Sequence, residues 1–315
     1  MACGAARVPR DRRRRRRKAH NSHGRLFDLG GTLGAQRTAR RAEASRARAL
    51  VPQARSRNRR GRAHPSYFGV IDTHAHLDAL DDPAAAIARA REAGVTRILT
   101  IGTDPTSWGE MLPIVEEHEG VYGVAGIHPH EAASDFDVDV LGRLLAHPKI
   151  VAVGEIGLDY YRDYAPRDAQ TKTFVYQLGL AKRARLPVVI HNRAADDDTA
   201  AVIRQWFDGT VVLHCFSSPA LLPEAVERGW YVSFAGNVTY ANAEDLRNAA
   251  RAVPAELILA ETDSPYLAPQ PVRGRTNEPA YVVHTVTALA EARGEKPDTL
   301  AAQIDVNATV AFGLP

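Results

Sequence analysis

The chain has 315 residues, of which 45% are hydrophobic and 24% charged, with a formal net charge of +3. Those proportions exclude fibrous and membrane-spanning classes, and no apolar run reaches the roughly 18 residues that a membrane helix requires. Cys3 and Cys215 are the only cysteines, which rules out a disulfide framework and makes a reducing, cytoplasmic setting the expectation.

The charge is split along the chain. Residues 1–65 hold 20 of the 40 Lys and Arg but only Asp11, Asp28 and Glu43 among the acids, giving +17, while residues 66–315 carry −14. The first segment opens with Arg12 to Arg17 and Lys18 and shows no sustained apolar period. It buries too little apolar surface to offset ordering entropy, so a disordered basic tail is expected over 1–65. Three readings fit it: a nucleic-acid tether, because clustered Arg neutralises phosphates; an Arg-rich targeting peptide; or translated sequence ahead of an over-extended start. The last is preferred, and residues 66–315 are then the functional domain.

From Tyr67 onward, short β-branched runs alternate with amphipathic stretches. Candidate strands are Gly69–Thr73, Arg97–Ile101, Val121–Ile127, Ile150–Glu155, Pro187–His191, Thr210–His214, Trp230–Phe234 and Leu257–Glu261. Their apolar character on both faces suits a parallel sheet covered by helices. Helical signals fall between them: Pro83 to Ala93 closed by Gly94, Arg167 to Arg185 ahead of Pro187, and Pro219 to Arg228 closed by Gly229. Eight βα units over about 250 residues predict an α/β fold, a (β/α)8 TIM-like barrel. An open doubly wound sheet is the alternative, but no Gly-rich phosphate fingerprint follows the first strand.

Ionisable residues collect where the strands end, the side on which barrels build their sites. The first strand runs into Asp72, His74 and His76, the fourth ends at Glu155, the fifth and sixth at His191 and His214, and the eighth runs into Glu261 and Asp263. Side chains two apart share a strand face, so His74 projects with His76, and Glu155 with Val151 and Val153. A lone strand-end His is more often a packing residue than a ligand. Four of them with Glu155 and Asp263 at equivalent positions make a set. Imidazole and carboxylate together suit Zn²⁺, Mn²⁺ or Fe²⁺, and Mg²⁺ less readily. Six ligands exceed one open tetrahedral site and match two metal ions sharing a carboxylate, with Glu155 as the bridge. Asp263 can both bind an ion and take a proton from the attacking water, which makes Glu155 and Asp263 the candidate catalytic groups.

Four strings then resemble the TatD family of metal-dependent deoxyribonucleases: Ile71-Asp-Thr-His-Ala-His-Leu-Asp78, Gly154-Glu-Ile-Gly-Leu-Asp-Tyr-Tyr161, Leu213-His-Cys-Phe-Ser217 and Glu261-Thr-Asp-Ser-Pro-Tyr-Leu267. The likeness runs over about 70–314, with Arg273-Gly-Arg-Thr-Asn-Glu-Pro279 and Asn307 to Leu314 extending it, and Ser218 departing from the usual Gly. It implies a two-metal hydrolase that cleaves phosphodiesters through a metal-activated hydroxide, with 3′-exonuclease character on DNA ends. By motif position His74, His76 and Asp263 would hold one ion, His191 and His214 the other, and Glu155 both. His128 matches a position that meets the substrate phosphate. Arg193, just past His191, is a phosphate partner on chemical grounds, since guanidinium pairs with phosphate oxygens.

The weaker features are read locally. Cys215 follows His214 and is expected to face outward for packing; Asp72 to orient a ligand imidazole; Tyr160, Tyr161 and Tyr164 either to stack on bases or to pack the rim. The net charge of −14 on the barrel favours short ends over a tight hold on long duplex. Two rival functions remain. One is an amidohydrolase acting on an amide, lactone or cyclic ureide, a class that often bridges its metals with a modified Lys where this chain has Glu155. The other is a nucleic-acid-binding protein working through the basic tail. No membrane and no obligate protein partner are implied.

Overall fold

The structure, a computed structural model, describes residues 69–315; the expectation for 1–65 lies outside them. Eight parallel strands run in chain order: β1 (Val70–Ala75), β2 (Val95–Gly102), β3 (Val121–Ala125), β4 (Ile150–Asp159), β5 (Val188–Arg193), β6 (Val211–Leu213), β7 (Tyr231–Phe234) and β8 (Ile258–Ala260). Each pairs with the next, and the first and last meet through the bridge Ala75–Ser264. The result is a nearly closed (β/α)8 barrel, as expected. Thr73 Oγ1 donates to Ala260 O at 3.0 Å and the Asp263 amide to His74 O at 2.9 Å, drawing the ends of β1 and β8 together. Among the described residues no helix is long and apolar enough to cross a membrane.

Local chemistry sets the helix limits. Asp82 caps Pro83–Glu92 by accepting the Ala85 amide at 2.9 Å, with Pro83 in the first turn where its missing N–H costs nothing. Arg167–Ala184 ends on Arg185 in a left-handed conformation, two residues ahead of Pro187. The helix expected from Pro219 to Arg228 is instead a 3-10 turn, Pro219–Leu221, followed by the short helix Leu222–Glu227. Pro223 explains the break: without an N–H it fits a first turn and not a helix interior.

Two departures from regular strand geometry position the site. Against β2, β1 carries one extra residue, since Asp72 pairs with Ile98 but Ala75 with Thr100. β4 does the same against β5, where Val153 pairs with Val188 and Ile156 with Ile190. Such bulges re-aim side chains, and here they fall at His74 and Glu155. β4 also extends four residues beyond the expected end, to Asp159, which pairs with Arg193. Gly157 permits this: at φ +142, a Cβ would stand 2.0 Å from His191 O.

Candidate metal centre

The barrel's C-terminal mouth brings all six expected ligands together. Glu155 is at the middle, 3% exposed, and its two oxygens face different groups. Oε2 lies 3.5 Å from His74 Nε2 and 4.0 Å from His76 Nε2, while Asp263 Oδ1 stands 3.9 Å and 3.5 Å from those same nitrogens. Oε1 lies 2.6 Å from His191 Nδ1, 2.7 Å from His214 Nε2 and 3.4 Å from His128 Nε2. Three overlapping triads could each hold a cation: His74, Glu155 and His214; His74, His76 and Asp263; and His128, Glu155 and His191. His128, expected at the substrate, thus sits within ligand reach of the same carboxylate.

The donor chemistry fits a cation. Both ring nitrogens of His74 are buried without a hydrogen-bond partner, a costly arrangement unless something else occupies them. Two other imidazoles are held from behind by carboxylates. His214 Nδ1 faces Glu261 Oε1 at 3.2 Å, and His191 Nε2 faces Asp159 Oδ2 at 3.2 Å. A carboxylate behind an imidazole fixes its tautomer and leaves the opposite nitrogen free to coordinate. Both opposite nitrogens point at Glu155.

Burial and charge compete over these groups. Burial raises the Glu155 carboxyl, but His214 and His128 outweigh it and hold it well below the ordinary range. Burial likewise raises Asp263, and His76, His214 and His74 bring it below normal. Burial pushes His128 down to about 4, against the pull of Glu155. His74 is lowered by burial and by His214, whereas His214 is raised because Glu155 and Glu261 overcome its burial.

Several neighbours behave differently from the sequence expectation. Asp72 does not touch the His74 ring: the β1 bulge turns it to the β8 exit, where it accepts from the Thr262 amide at 2.9 Å and Thr262 Oγ1 at 2.6 Å. Burial raises its pKa to about 8. Cys215 does not face away, because β6 stops at Leu213 and strand alternation no longer applies at φ +43. Its amide donates to Glu261 Oε1 at 2.8 Å, and burial beside Asp263, Glu261 and Glu155 raises its thiol well above the usual value. Ser218 adopts φ −120, a conformation open to any residue, and its hydroxyl donates to Asp196 Oδ1 at 2.8 Å.

Two carboxylates outside the expected ligand set stand behind the imidazoles. Asp159 is fully buried; besides His191 it faces His130 Nε2 at 2.8 Å and accepts the Tyr161 and Arg162 amides. Burial raises its pKa, but those hydrogen bonds overcome that and leave it strongly lowered. Glu261 is the other. Both lie inside the motif strings, but only the fold shows which ring each one holds. Arg193 is exposed at the mouth, its guanidinium 4.2 Å from the Tyr161 ring centroid, and among the described residues it pairs with no carboxylate.

A barrel with this His and carboxylate cluster at its mouth defines the class of metal-dependent hydrolases. Residues 71–313 match the TatD related DNase family, and the chain belongs to that family. It is 39% identical over 259 residues to an uncharacterized metal-dependent hydrolase TatD of Mycobacterium tuberculosis, covering 78% of this chain and 98% of that one. It is 35% identical over 243 residues to a protein of Klebsiella pneumoniae named 3′-5′ ssDNA/RNA exonuclease TatD, covering 74% and 92%. Among solved structures, the TatD homologue YJJV of Escherichia coli K12 superposes with a TM-score of 0.73 at 31% identity, covering 78% of this chain and 98% of that one.

Proposed function

We propose that the cluster holds two divalent cations and that the protein hydrolyses the terminal phosphodiester of a nucleic-acid strand from its 3′ end. The observation that carries this is the division of labour at Glu155: Oε2 faces His74 and His76, and Oε1 faces His191 and His214. A carboxylate shared in this way is what two adjacent cations need. The exonuclease name borne by the Klebsiella relative supports the substrate class. Nitrogen and oxygen donors in these proportions suit Zn²⁺, Mn²⁺ or Fe²⁺, with Mg²⁺ also in reach.

On this reading His74, His76 and Asp263 hold one cation, His191 and His214 the other, and Glu155 both. When bound, such a pair supplies an acidified water and neutralises charge on the phosphate. The protein's own groups do the rest. Asp263 accepts the proton of the attacking water at its carboxylate. Glu261 and Asp159 keep His214 and His191 in the tautomers that face inward. His128 orients a phosphate oxygen from Nε2, and the exposed Arg193 guanidinium pairs with the phosphate. Buried walls exclude bulk water, which strengthens each of these interactions.

The test is release of mononucleotides from single-stranded DNA in the presence of Mn²⁺, Mg²⁺ or Zn²⁺; silence with every metal overturns the reading. Greater activity on a lactone or cyclic ureide than on any phosphodiester would move the protein to the amidohydrolases. Deleting residues 1–65 should leave turnover intact, whereas a protein acting through its basic tail would lose its salt-sensitive binding.

A further inference from the structure

We infer that Tyr164 and Tyr266 form a two-sided clamp for bases, one on each side of the mouth, so that a splayed strand end is held with its linking phosphate over Glu155. The inference rests on the phosphodiesterase reading above and adds the residues that select the substrate.

Both rings are set against the cluster. Tyr164 meets His130 edge to face, centroids 4.7 Å apart, and His130 bonds to Asp159, which holds His191. Tyr266 meets His76 edge to face at 6.0 Å. Tyr266 therefore touches one half of the site directly, through His76, and Tyr164 reaches the other half through His130 and Asp159. They follow β4 and β8, four strands apart in a ring of eight, and so stand on opposite sides of the mouth.

Neither ring is explained by packing. Tyr164 is 67% exposed and Tyr266 59%, and among the described residues neither phenol hydroxyl makes a hydrogen bond. Tyr160, in the same loop as Tyr164, shows the contrast: its hydroxyl donates to Asp198 at 2.8 Å and Arg167 covers its ring at 4.1 Å.

The backbone under each exposed ring is fixed by a buried side-chain amide. Gln170 accepts from the Asp159 amide and donates to Ala165 O and Asp159 O, bracketing the loop that carries Tyr164. Asn277 donates to Thr262 O and Tyr266 O, at 2.9 Å and 2.6 Å. Exposed aromatic rings on pinned loops are surfaces that a base can stack on at little ordering cost. A paired duplex end cannot offer two splayed bases without first unpairing.

The experiment compares the full-length protein with Tyr164→Leu, Tyr266→Leu and the corresponding Phe variants on two single-stranded oligonucleotides. One has normal 3′-terminal bases and the other lacks its last two bases. Stacking predicts that each Leu variant loses roughly 5- to 100-fold in kcat/KM on the normal end. The ratio of normal to abasic activity should shrink toward one in the Leu variants and be restored by Phe. With the protein held in chelator, a terminal 2-aminopurine should be quenched by the wild type and less so by the Leu variants, a readout that needs no turnover. Equal losses on both oligonucleotides, or no loss on either, overturn the clamp. A wild type that cleaves neither strand overturns the phosphodiesterase reading, and the clamp with it.

Discussion

Asp159 faces Nε2 of His191 at 3.2 Å, on the opposite edge of the ring from Glu155. With Nε2 held as a donor, Nδ1 carries the lone pair that points into the cluster. Asp159→Asn can donate its amide to Nε2 and so favours the wrong tautomer. Metal affinity and turnover should each fall by about 10- to 100-fold, measured by metal titration and initial rates, while in chelator the melting temperature should change little from the metal-free wild type.

Glu261 offers the matching case behind His214, with its Oε1 shared between the imidazole and the Cys215 amide. Glu261→Gln keeps an acceptor for that amide, and Glu261→Ala removes it. Activity should therefore fall in the order wild type, Gln, Ala. Ala alone should also destabilise the fold by about 1–3 kcal/mol, because it leaves a buried donor unsatisfied, which denaturant unfolding would show.

His74→Ala and Glu155→Ala should abolish turnover while circular dichroism shows the barrel largely intact. Removing metal tests the same residues without catalysis. A cation that binds only the folded state adds about 2.7 kcal/mol at one hundred times its dissociation constant. Adding chelator should therefore lower the wild-type melting temperature, and this shift should vanish in Glu155→Ala.

Gly157 on β4 pairs with His191 on β5, and a Cβ there would overlap His191 O. Gly157→Ala combines that clash with an unfavourable φ of +142. A loss of about 3 kcal/mol or more is expected, visible as a lower denaturant midpoint. Any protein that still folds should bind metal weakly, because His191 moves with β5.

The fold class and the set of His, Glu and Asp side chains that cluster at the mouth were legible from residue order. Eight apolar runs buried on both faces require a covered parallel sheet, and strand-end His, Glu and Asp at equivalent positions converge once such a sheet closes. Strand limits were less legible: β6 stops at Leu213 and β4 reaches Asp159, because pairing with neighbouring strands decides where a ladder ends. Side-chain direction was least legible. Alternation is a local rule, and it placed Asp72 beside His74 and sent Cys215 outward. The extra residues in β1 and β4 exist only relative to their partner strands, so no reading of one segment exposes them. Residue order alone set which chemical groups are present and that they meet at one mouth. Register between strands distant in the chain decided which oxygen of Glu155 faces which imidazole, and which carboxylate stands behind each ring.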